Sequence, residues 1–189
     1  MSKTTPYLIL TLCLFLSVTQ LIGIDYFYYE RHLLMQGQYW RVLTAHFVHL
    51  NMMHLLLNLA GLSLVLIIFD RTYCLIEWAV LIVCSAIVQS VLFYLFLPNV
   101  QGYVGFSGVI HSLYVAGALH LLKNSQDKYL ALILLALVTL KLLTENLGQG
   151  ISMTEQMIGG HVLVEAHLYG AVIGIIFVLI KSAKEKFYS

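Results

Sequence analysis

Long apolar runs separated by short polar, charged or proline-marked breaks dominate this chain, and their length is a stronger signal than any periodicity within them. Such runs cover residues 7–24, 52–69, 75–97, 107–122, 129–143 and 161–180. Most fall within the roughly 17 to 25 residues that carry a helix across about 30 Å of hydrocarbon. A chain in lipid must satisfy its own backbone polar groups, so each run is expected to be helical. Asp70 and Arg71 close the second run, and Pro98-Asn99 stops the third. Proline has no backbone N–H and disfavours helix in the residue before it. Polar residues from Lys123 to Lys128 end the fourth, and Lys181, Lys184 and Lys186 form a basic tail. Residues 145–160 are expected to form a loop. The expected fold is therefore an all-α membrane protein, one domain over residues 1–189, with six transmembrane helices.

Composition agrees with this pattern. Of 189 residues, 60% are hydrophobic and only 10% charged, and mean hydropathy is +0.89. A soluble domain would need more polar surface. A formal net charge of +1 argues against nucleic acid as a partner. Cys13, Cys74 and Cys84 lack C-x-x-C spacing, so they read as packing residues rather than a disulfide or zinc framework. The first run has no small-residue cleavage site and is read as a retained helix, not a secretory signal. Charge then orients the chain, because cytoplasmic flanks collect Lys and Arg. With both termini inside, Lys3, Arg71, Lys123, Lys128, Lys181, Lys184 and Lys186 all fall inside. Only Arg31, Arg41 and Lys141 remain on or near the outer side.

That orientation brings the start of the second, fourth and sixth runs to one leaflet, where the candidate chemistry lies. Ser107 opens the fourth run and His167 sits near the start of the sixth. Alone, Ser107 would read as a helix cap and His167 as a packed polar residue. Together they suggest a nucleophile and a base. His54 and Asn58 are an i, i+4 pair on one face of the second run, and both can donate hydrogen bonds. Acyl transfer needs a nucleophile, a base and donors for the developing oxyanion. His46 and His49 read as structural residues of the polar outer stretch, His32 and His120 as interfacial. Trp40-Arg41 reads as a membrane-interface anchor. Eight histidines raise the question of zinc, copper or haem. No His-Glu-x-x-His or carboxylate cluster accompanies them, so neither metal nor cofactor is expected.

Three segments resemble the rhomboid family of intramembrane serine proteases. They are Trp40-Arg41 with His49, His54 and Asn58; Gly105-Phe106-Ser107-Gly108, similar to the family's G-x-S-G; and Ala166-His167-Leu168-Tyr169-Gly170 with Gly174, similar to its A-H-x-x-G-x-x-x-G. The resemblance implies that Ser107 is the nucleophile and His167 the general base and later acid. It makes His54, Asn58 and the Ser107 backbone N–H the oxyanion donors. A Ser–His dyad has no buried carboxylate, so packing is expected to hold the imidazole. Gly170 and Gly174 form a small-xxx-small face that can approach Gly105 and Gly108 closely.

Two positions depart from the family pattern. His111 stands where many rhomboids have tyrosine, and is read as a support for the His167 ring, with a rival base as the alternative. Glu165 stands where many have a small residue, and a regular helix points it away from His167. The run from Gly105 to His111, a compact chain with short termini, and Ala166-His167-x-x-Gly170 look more like the rhombosortase branch. That branch implies a transmembrane protein substrate, cleaved at a C-terminal Gly-Gly sorting tail of surface or secreted proteins. It also implies transfer to a lipid headgroup amine as a second fate of the acyl-enzyme. The implied location is the bacterial inner membrane, with the site opening toward the periplasm. The alternatives are a catalytically silent relative that escorts transmembrane helices, against which the presence of both Ser107 and His167 weighs, and a His-rich metal or haem protein.

Overall fold

The computed structural model describes residues 5–147 and 153–187. Lys3, used above for orientation, and residues 148–152 of the expected loop lie outside the described residues. The helices are α1 (Thr5–Ile22), α2 (Arg31–Met35), α3 (Arg41–Thr44), α4 (Met52–Ile68), α5 (Leu75–Phe96), α6 (Ser107–Leu121), α7 (Lys128–Leu147), α8 (Met153–Ile158) and α9 (Val164–Phe187). Each expected apolar run contains one long helix. By length and composition, α1, α5, α7 and α9 can each cross a membrane, and Arg41–Phe47 with Met52–Ile68, bent by 88°, makes a fifth candidate span. Helix α6 has only 15 residues, about 22 Å at about 1.5 Å per residue. It is the innermost helix, with Val109, Leu113, Ala116 and Ala118 fully or almost fully buried.

The core beside α6 is apolar, built from Leu62, Leu66, Phe69, Leu81, Phe106 and Leu113. The outer faces are apolar too: Leu14, Leu56, Ile76, Leu137 and Leu179 are all exposed. An apolar surface of this extent suits lipid and would drive association in water. At the end of the bundle away from Ser107, Lys181 meets Glu77 and Lys123 meets Glu185.

Two connecting segments are more ordered than their composition suggests. The polar-aromatic stretch between α1 and α4 contains β1 (Tyr29–Glu30), paired antiparallel with β2 (Gly102–Tyr103) through Tyr29↔Tyr103 and Glu30↔Gly102. Arg41, expected to anchor at the headgroups, is instead buried. Its Nε donates to Gln38 Oε1 at 2.8 Å and its guanidinium donates to the Tyr28 carbonyl at 2.8 Å. A buried cation needs such partners, and here they fix the turn before α4. The expected loop at 145–160 also requires correction: α7 continues through Glu145 to Leu147, and residues 153–158 form α8. Lys141 and Glu145 pair one turn apart and support that extra turn.

Candidate active site

The turn before α6 sets the position of Ser107. Gly105 has φ +125°, a backbone conformation that L side chains rarely adopt. Its N–H donates to the Ala45 carbonyl at 3.2 Å, and its own carbonyl accepts from Tyr103 Oη at 2.8 Å. Burial pushes the Tyr103 phenol above its ordinary pKa, so it stays a donor. Ser107 is the first residue of α6, and no side chain caps that helix. Its Oγ lies 2.9 Å from Nε2 of His167.

His167 reaches Ser107 because α6 and α9 approach at their glycines. A Cβ on Gly170 would fall 2.0 Å from the Gly108 carbonyl oxygen, and one on Gly174 would fall 2.5 Å from that of Ser112. A Cβ on Gly108 would meet Gln89 Oε1 at 2.0 Å and the Ala166 carbonyl at 2.9 Å. The other expected site residues gather at the same end. His111 stacks on His167, with ring centroids 4.2 Å apart and planes inclined by 16°. Its Nδ1 donates to the Ser107 carbonyl at 2.8 Å.

His54 and Asn58 approach from α4. Asn51 caps that helix by accepting from the His54 N–H at 2.9 Å, and its own amide donates to Ile158 of α8 at 2.7 Å. The His54 ring lies against Gly105, where an added Cβ would fall 2.9 Å from Nε2. Its Nδ1 accepts from the Leu50 N–H at 3.4 Å, which leaves the ring proton on Nε2. Asn58 donates one amide hydrogen to the His54 carbonyl at 2.9 Å. Ser107, His167, His54, Asn58 and His111 all border one cavity of about 780 Å³. His46 and His49 are fully buried behind it; His46 Nε2 meets Ser90 Oγ at 3.0 Å, and His49 lies edge-on to His54 at 5.0 Å.

The expectation of an imidazole held by packing alone is incomplete. Glu145, assigned above to a loop, lies on the last turns of α7, with Oε2 2.8 Å from His167 Nδ1. The available signal was the Lys141/Glu145 pair at the end of an apolar run, because ionisable residues at such depth carry a functional default. Among the described residues, His111, Glu145 and His167 offer ligand atoms within 4.8 Å of one another. His111 Nδ1 is already engaged at the Ser107 carbonyl, and both nitrogens of His167 are engaged, by Glu145 and Ser107. That geometry suits hydrogen bonding from Ser107 through His167 better than metal ligation.

A search of curated proteins finds no match. A family model described as Rhomboid domain matches residues 36–184, which include every site residue named above. The chain belongs to the rhomboid family, whose members are generally intramembrane serine proteases acting on transmembrane substrates.

Proposed function

We propose that this chain is an intramembrane serine endopeptidase with Ser107 as nucleophile and His167 as general base. The observation that carries the reading is the 2.9 Å contact between Ser107 Oγ and His167 Nε2 on the wall of the cavity. Ser107 Oγ attacks the scissile carbonyl carbon as its proton passes to His167 Nε2. The carbonyl oxygen becomes an oxyanion, and the Ser107 N–H, His54 Nε2 and the second Asn58 amide hydrogen stabilise it. His167 then returns the proton to the departing amine, leaving an ester on Ser107. Water attacks that ester with His167 again as base. His111 supports the His167 ring by stacking.

The cation distribution favours both termini in the cytoplasm and a site open to the outer leaflet, the periplasmic side of a bacterial inner membrane. A six-span bundle fits this reading, with the short α6 beginning below the membrane surface. His111 and the G-x-S-G-V-x-H run favour the rhombosortase branch, hence a Gly-Gly-containing C-terminal tail as substrate. An amine of a lipid headgroup can replace water as the final acceptor, because both attack the same ester.

The test is co-expression with a Gly-Gly-tailed membrane substrate. Wild type is expected to release the tail, whereas Ser107→Ala and His167→Ala leave it attached. Cleavage persisting in both variants removes the protease reading. Mass spectrometry of the new C-terminus separates the acceptors: a free carboxylate identifies water, and an added headgroup mass identifies an amine.

A further inference from the structure

The Ser–His pairing explains one nitrogen of the His167 ring and leaves the other to be accounted for. Nδ1 faces α7, where Glu145 Oε2 lies at 2.8 Å, and both side chains are largely enclosed, His167 at 6% exposure and Glu145 at 19%. Each carboxylate oxygen has its own partner, Oε1 on Lys141 Nζ and Oε2 on His167. Lys141 precedes Glu145 by one turn on the same helix, so the pair fixes the carboxylate in the plane where Nδ1 can reach it. An ionised carboxylate can only accept, so the proton between them belongs to Nδ1. In a neutral imidazole Nε2 then carries the lone pair, the tautomer able to take the Ser107 proton.

We propose that Glu145 is a positioning residue that completes a Ser107–His167–Glu145 triad, fixing the His167 tautomer and stabilising the imidazolium formed during attack. This inference rests on the protease reading above and extends it from two residues to three. No proton needs to reach Glu145: the Ser107 proton moves to Nε2, Nδ1 keeps its own, and the positive ring faces a negative carboxylate. His111 contributes differently. It stacks on the ring face and its Nδ1 is engaged at the Ser107 carbonyl, so it orients the ring without supplying charge. The groups facing His167 are thus Ser107 and His111 from α6 and Glu145 from α7, with Lys141 behind the carboxylate and His54 across the cavity. Of these, Glu145 is the anionic one.

The experiment compares full-length wild type with Glu145→Gln, Glu145→Asp and Ser107→Ala in proteoliposomes, using a fluorogenic Gly-Gly transmembrane peptide. Glutamine keeps the shape, but its amide can donate to Nδ1 and so reverse the tautomer. Removing the corresponding charge in a soluble triad costs up to about 10⁴-fold in kcat. With Glu145 partly exposed, about a 10²-fold loss in kcat is expected, with KM changed less than about 2-fold. Aspartate is expected to regain most of the loss. Nitrogen-15 spectra of labelled histidine should show His167 protonated at Nδ1 in wild type and in Glu145→Asp, and redistributed toward Nε2 in Glu145→Gln.

Wild-type kcat and an unchanged tautomer in Glu145→Gln overturn the proposal. Equal loss in Gln and Asp, driven by KM with the tautomer unmoved, also overturns it by assigning Glu145 a purely structural role. If wild type matches Ser107→Ala in showing no cleavage, the protease reading fails instead. The tautomer comparison still tests the Glu145–His167 bond in that case.

Discussion

At the scale of single residues, the bond on its other nitrogen suits His54 to the proposed donor role. Because the Leu50 N–H occupies Nδ1, the proton sits on Nε2, beside the turn that presents Ser107. Asn58 has already spent one amide hydrogen on the His54 carbonyl and keeps one for an oxyanion. Loss of one oxyanion donor costs on the order of 3 kcal/mol. His54→Ala is therefore expected to lower kcat by about 10²-fold with little change in KM, and Asn58→Ala to cost less. Steady-state cleavage assays check both, and a His54→Ala enzyme at wild-type kcat removes His54 from the mechanism. Ser107, His54, Asn58 and His167 were legible because their spacing coincides with apolar runs that place them at one depth. Glu145 was not legible, because a carboxylate at the end of an apolar run looks like a helix terminus until the α9 partner is known.

At the scale of elements, the packing of α6 on α9 decides whether Ser107 and His167 meet. Gly108, Gly170 and Gly174 leave no space for a side chain, since an added Cβ falls within 2.5 Å of an opposing atom at each. The atoms opposing Gly170 and Gly174 are backbone carbonyl oxygens, which cannot swing aside as a side chain can. Gly170→Ala should thus push the helices apart, at a cost of at least about 1–3 kcal/mol as for overpacked cores. A lower thermal midpoint in detergent and slower labelling of Ser107 by a fluorophosphonate are expected together. Unchanged labelling would mean that α9 does not set the Ser107–His167 distance. The small-xxx-small spacing announced the contact with Gly108, whereas Gly105, expected to face α9 as well, packs on the His54 ring of α4; the sequence also marked where most long helices begin. The ends of α7 and α9 were less legible: α7 gains a turn from Lys141 and Glu145, and α9 runs on through Lys184 and Lys186, whose charges suit a helix C-terminus.

At the scale of the whole molecule, the bundle turns apolar faces outward and lines one cavity with Ser107, His54, Asn58 and His167; on the proposed function, a transmembrane substrate unwinds there to expose its peptide bond. Each Gly in a helix costs about 0.8–1 kcal/mol relative to Ala. Replacing Gly-Gly at the cleavage site by Ala-Ala should then raise the unwinding cost by about 2 kcal/mol, or about 30-fold in kcat/KM. Equal cleavage of the two peptides would show that unwinding does not limit the reaction. By itself, the sequence determined that the chain is an integral membrane protein, where its long apolar helices lie, and which of its serines and histidines share one end of the bundle. Run length, charge and motif spacing are local quantities, and lipid allows a backbone few alternatives to helix. Tertiary structure alone decided that Arg41 is buried, that the stretch before α4 is tied to β2, and that Glu145 stands at His167 Nδ1. These contacts join residues distant along the chain, and their partners are chosen by how closely the helices approach, which no local pattern encodes.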